Sequence, residues 1–152
     1  MGWHLAQINV GRLRAPLDAD EMAEFVAALG PVNELAEASD GFVWRLTDED
    51  GASSSYVRIP QVDDPLVAVN YSIWRDLSAL KAFVYRSGHA PFLRRRRAWF
   101  EAPAEAITAC WWVPAGDIPS LAEAYDRLLH LRAHGPTERA WTFARPFPAP
   151  TD

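Results

Sequence analysis

Cysteine is nearly absent. Cys110 stands alone, so no intrachain disulfide can form, and nothing beside it resembles a thiolate metal site. An excess of positive charge is also missing. The formal net charge is -5, which argues against a general nucleic-acid binder, whose affinity comes from basic side chains that neutralise phosphates. It argues equally against an anionic membrane surface as partner. No apolar run approaches the length of a membrane span. Met1-Gly-Trp-His-Leu-Ala-Gln7 lacks a basic segment followed by an apolar stretch, so no secretory signal is expected and the cytoplasm is the expected compartment. Nucleophile elbows, phosphate-binding glycine loops and cysteine–histidine metal patterns are missing as well.

What is present suits one domain over residues 1–152, with a loose Pro-rich tail from about 146. Hydrophobic residues make up 49% and charged residues 23%, enough for one core with a solvated surface. Trp3 to Leu13 alternates as a strand does. His4, Ala6, Ile8 and Val10 fall on one face, and Trp3, Leu5, Gln7 and Asn9 on the other. Asp18 or Asp20 is placed to cap a helix carrying Met22, Phe25, Val26 and Leu29, which Gly30-Pro31 should kink or break. Asp40-Gly41 turns the chain into a strand from Phe42 to Thr47, and Tyr56 to Ile59 reads as a short edge strand ended by Pro60. Leu66 to Trp74 is the most strand-like run. Val67, Val69, Tyr71 and Ile73 share one face, and Ala68, Asn70, Ser72 and Trp74 share the other.

A long helical pattern follows from Ser78 to Glu101, capped by Asp76 or Ser78, with a bend expected where Gly88 and Pro91 bracket His89. Ile107 to Val113 is a further strand. Ser120 and Glu123 have capping-box spacing at the head of a helix that Gly135 stops, and Arg139 to Phe143 is a short last strand. The fold class is therefore α+β: a ferredoxin-like split β-α-β arrangement, with an antiparallel sheet covered by helices on one face. The uncovered face asks for a second copy of the chain, so a homodimer is expected.

Several residues carry candidate chemistry. His89, held at a helix bend, is placed as an acid, base or ligand, or as a cap for the kink. Tyr85 lies one helical turn before it and shares its face. Gln7, Asn9 and Asn70 put three amides on partly apolar strand faces, suited to orienting a ligand or to lining a dimer interface. Trp44 and Trp74 supply flat apolar surface nearby. Arg94 to Arg97 step around a helix and should be mainly solvated. Leu93 and Phe100 flank Arg96 and Arg97, and the expected inward guanidinium is that of Arg97. Trp111 and Trp112 must face opposite sides of their strand. His130 and His134 have the spacing of a helical metal pair but no third fixed ligand, so no metal is expected there.

His4-Leu-Ala-Gln-Ile-Asn-Val10, Pro31-Val-Asn33, Gly41-Phe-Val-Trp-Arg-Leu46, Asn70-Tyr-Ser-Ile-Trp74, Ala82-Phe-Val-Tyr-Arg-Ser-Gly-His89, Arg96-Arg-Ala-Trp-Phe100 and Trp111-Trp-Val-Pro-Ala-Gly116 resemble a bacterial family known as domain of unknown function 3291. That resemblance implies the dimeric α+β barrel superfamily, which includes monooxygenases of antibiotic biosynthesis. Ser87-Gly-His-Ala-Pro-Phe92 is similar to a helix motif of those enzymes, with Pro91 interrupting the helix. Relatives that degrade haem use a first-strand Asn and a His on this helix, places that Asn9 and His89 occupy. The expected function is a small-molecule-binding, monooxygenase-like enzyme with its pocket near His89. It would work either without a cofactor or with haem ligated by His89. The other expectation is a non-catalytic ligand-binding or stress-associated dimer.

Overall fold

The computed structural model describes residues 2–48, 57–86 and 94–151. Four strands form one antiparallel sheet in the order β2-β3-β1-β4. β1 spans Trp3–Arg12, β2 Phe42–Arg45, β3 Val67–Trp74 and β4 Thr108–Pro114. The register sets Asn9 opposite Asn70 on β3 and opposite Thr108 on β4, and Gln7 opposite Ser72 and Cys110. The helices are α1 (Ala23–Glu37), α2 (Leu77–Arg86), a short α3 (Arg96–Trp99) and α4 (Leu121–His134). The order β1-α1-β2-β3-α2-β4 within this chain is the expected split β-α-β arrangement.

Both faces of the sheet are buried from within the chain. Ala6, Ile8, Tyr71, Ile73 and Trp111 pack with Ala124, Leu128 and Leu131 of α4, and with Ile59. On the other face, Leu5, Trp74 and Cys110 pack with Ala36 of α1 and with Ala79, Leu80 and Phe83 of α2. A third cluster, including Leu13, Met22, Phe25, Trp99 and Phe100, closes the end of β1. The expectation that helices cover one face alone is thus corrected: α4 lays its apolar stripe over the face that was to meet a partner. Trp111 and Trp112 do face opposite sides. Trp111 stacks on Tyr71, and Trp112 donates from Nε1 to the Phe147 carbonyl at 2.8 Å. The tail expected to be loose is therefore docked at Phe147.

Local structure departs from the sequence pattern at several points. Neither Asp18 nor Asp20 caps α1, because a 3-10 turn over Asp20–Met22 leads into it with no side-chain cap. Pro31 lies inside a continuous α1. Its ring is exposed, so the carbonyl it leaves without a donor can face water. Residues 57–59 form no strand. Trp141 makes one isolated bridge to Cys110 on the edge of β4, rather than a strand from Arg139 to Phe143. The expected signals elsewhere hold. Asp76 Oδ1 accepts from the Ala79 N–H at 2.9 Å, and Ser120 Oγ from the Glu123 N–H at 3.1 Å. Gly135, at φ 76°, closes α4 by donating to the Leu131 carbonyl. The expected helix restart at Pro91 lies outside the described residues.

Candidate functional site

A cavity of about 490 Å³ separates α1 and α2 from the sheet. Its floor is the second face of β1 and β3, because period-two alternation puts Gln7 and Asn9 beside Asn70, Ser72 and Trp74. Its roof is mostly apolar: Phe25, Leu29 and Val32 from α1, and Leu80, Phe83 and Val84 from α2. Asn70 is exposed although it sits in mid-strand, paired with Asn9 of β1, since the space above it is open.

The floor is wired. Gln7, only 6% exposed, donates from Nε2 to Asn70 Oδ1 at 2.7 Å and to Ser72 Oγ at 2.8 Å. Trp74 Nε1 donates to the same Ser72 oxygen at 2.9 Å. Asn9 Nδ2 donates to Thr108 Oγ1 at 2.6 Å. These bonds fix each amide's orientation before any ligand arrives, which is what an orienting site needs. Trp74 also stacks on Phe83, with ring centroids 5.1 Å apart, and so forms one apolar wall.

The charge at the cavity is positive. Among the described lining residues Arg45 and Arg96 carry charge, and there is no Asp, Glu, Lys or His. Arg45 pairs with Glu37 at 3.4 Å. Arg96 is half-buried with its guanidinium 4.5 Å over the Phe100 ring, and it has no carboxylate partner among the described residues. Burial lowers its pKa from the ordinary arginine value, as removing a cation from water must. Gly11 makes this packing possible. A Cβ there would lie 2.6 Å from Phe100 Cδ1 and 2.8 Å from an Arg96 terminal nitrogen.

Of the expected site residues, Gln7, Asn9, Asn70, Trp74 and Tyr85 line this cavity. Tyr85 is 56% exposed and meets Phe143 edge-on, so it stands at the rim. Two residues lie elsewhere. Trp44 packs edge-on against Tyr71 on the α4 side, because a bulge between Phe42 and Trp44 shifts the strand's alternation. The same bulge brings Arg45 opposite Ser72 and onto the cavity. Arg97 is exposed and off the lining, and its carbonyl accepts from Arg14 Nε at 2.8 Å. The inward arginine is Arg96. His89 lies outside the described residues, and so does its pairing with Tyr85.

Sequence reading missed Ser72, Thr108, Arg96 and Gly11. Ser72 was accessible from period two, one pleat beyond Asn70. Away from the cavity, Cys110 is buried and its thiol is pushed up to about 12, so it is no nucleophile near neutral pH. The His130 and His134 rings meet at a tilt, their centroids 4.3 Å apart. No cluster of three metal-binding side chains occurs among the described residues. A haem iron would need an axial donor, and the expected one, His89, lies outside the described residues.

No curated protein matches the chain in sequence. Among solved structures it is similar to NE2512, a protein of unknown function from Nitrosomonas europaea. The identity is 14% and the TM-score 0.50, over 78% of this chain and 96% of that one. It is also similar to SnoaB, a cofactor-independent oxygenase from Streptomyces nogalater, with 16% identity and a TM-score of 0.49 over 76% and 95% of the two chains. These likenesses concern the fold. The NE2512 likeness, with the four-stranded antiparallel sheet, fits an α+β fold of the ferredoxin-like type. The model of the Domain of unknown function DUF3291 matches residues 4–152, and the chain belongs to that family.

Proposed function

We propose that this protein is a small-molecule-binding enzyme of monooxygenase-like type, and that its ligand is a flat, oxygen-bearing aromatic molecule. One observation carries the reading: a mostly apolar cavity of about 490 Å³ with a floor of hydrogen-bonded Gln7, Asn70, Ser72 and Trp74 side chains. Such a cavity is of the size that holds a small organic ligand. Gln7, Asn9 and Asn70 orient its oxygen atoms, and Trp74 and Phe83 flank its ring. His89 and Tyr85 are the proposed proton-handling groups, with Tyr85 at the mouth and His89 one helical turn beyond it in sequence. Closure of the cavity by α1 and α2 would keep bulk water from a reactive intermediate.

A second reading has its own support. The described lining contains no Asp, Glu, His, Lys or Cys to serve as an acid or base. A protein that binds the same molecule without transforming it, such as a stress-associated dimer, fits that observation. Calorimetric titration with 2-naphthol tests the shared part, and saturable binding at one site per chain is expected. Oxygen uptake with a panel of hydroxynaphthalenes separates the two readings, because only the enzyme consumes oxygen. Absence of binding by any such arene would sink both. A homodimer and a cytoplasmic location belong to this proposal. The dimer rests on the fold type alone, since α4 fills the face that first suggested it. No described helix is long and apolar enough to cross a membrane.

A further inference from the structure

The cavity's charge and hydrogen-bond polarity narrow the ligand class, given the binding role proposed above. Ser72 Oγ accepts from both Gln7 and Trp74, so its lone pairs are used and its own proton must be given away. Asn70 Oδ1 is taken by Gln7, which leaves the Asn70 amide nitrogen as the free end of that side chain. Gln7 Nε2 spends both of its hydrogens within the floor. Near the end of this floor, a terminal nitrogen of Arg96 presses against Gly11. Gly11 is paired with Ala68, one pleat from the Asn9–Asn70 pair, so the guanidinium lies about 7 Å along the floor from those amides.

A half-buried guanidinium without a carboxylate is costly unless something anionic completes it. Arg95 next to it already has Glu24, and Arg45 across the cavity has Glu37. No described lining residue supplies the missing charge to Arg96. Gly11, without a side chain, leaves the slot in which the guanidinium lies.

We propose that the cavity selects a flat aromatic anion, whose carboxylate or phenolate oxygen bridges the Arg96 guanidinium and the Asn70 amide nitrogen while its ring extends toward Trp74 and Phe83. The polarity follows from the floor: the Asn70 and Ser72 donors and the Arg96 cation all favour an acceptor that carries negative charge.

The test is a matched ligand pair on the intact protein, 2-naphthoate against the neutral 2-naphthamide, titrated by calorimetry. The carboxylate should bind about ten-fold more tightly, or better, as a charge-assisted bond requires. In Arg96→Gln the preference should fall to about one while the affinity for 2-naphthamide is retained, and Arg96→Lys should recover part of it. Equal affinities in the unmodified protein overturn the inference, with no variant needed. A preference that survives Arg96→Gln in a folded variant overturns it too. Should 2-naphthamide bind and 2-naphthoate fail, the cavity reading stands and the anion inference falls. If neither binds, both fall.

Discussion

Gly11 is the position where one added methyl group would reach furthest. Its Cβ would fall inside contact distance of both Phe100 and Arg96, and Phe100 is packed against Phe25 and Trp99. Gly11→Ala should therefore destabilise the fold by about 1–3 kcal/mol, the usual cost of overpacking, as read from a urea denaturation midpoint. A change below about half a kcal/mol would mean that Phe100 moves freely. The neighbouring arginines behave differently. Arg94 is exposed and makes none of these contacts, so Arg94→Gln should shift stability by less than about half a kcal/mol in the same assay. Four consecutive arginines made an inward guanidinium legible but not its identity. Successive helical residues point about 100° apart, so the choice depends on where α3 begins, and no cap or turn signal marks that start. Arg96 wins because Gly11 opens a slot for it, a match between residues far apart in sequence.

Among the elements, the strands with both faces buried were the most legible, since β1 and β3 state their alternation in apolar residues and amides. Helix ends with a side-chain cap were legible too, at Asp76 and Ser120. The β2 bulge was not, because Phe42-Val-Trp44 reads as plain alternation and the shift is imposed by pairing with β3. Nor was the run of α1 through Pro31, where packing of Phe25, Val32 and Ala36 outweighs one lost hydrogen bond. The α2 cap yields a pH dependence. The Ala79 N–H bond, helped by Arg75, holds the Asp76 carboxyl below its usual 3.8. A depressed folded pKa means that the ionised cap contributes fully above the unfolded value and that the contribution is lost as pH falls through the folded one. Asp76→Asn retains a capping oxygen that does not titrate. The melting temperature of the unmodified protein relative to Asp76→Asn should therefore decline as pH drops below about 4. A difference independent of pH would show that the charge contributes nothing to the cap.

At the scale of the whole molecule, α4 changes the meaning of the sheet. The uncovered face inferred from element order is filled by Ala124, Leu128 and Leu131, an outcome that a list of helices and strands cannot give, because either side of the sheet accepts a terminal helix. If the fold type nevertheless governs assembly, light scattering at micromolar concentration should report about twice 17.0 kDa. A mass of 17.0 kDa alone would remove the dimer from the proposed function while leaving the cavity intact. The cavity itself was half legible. The amides announced a polar floor, but its volume comes from how α1 and α2 stand above β1 and β3. Filling that volume is the most direct test. Asn70 faces the open space from mid-strand, and tryptophan suits a strand, so Asn70→Trp should still fold, with a melting temperature lowered by loss of the Gln7 bond to Asn70 Oδ1. Calorimetry should then show the affinity for 2-naphthol reduced by about ten-fold or more, as loss of a buried apolar site requires. Undiminished binding of 2-naphthol by a folded Asn70→Trp protein would contradict the assignment of this cavity as the ligand site.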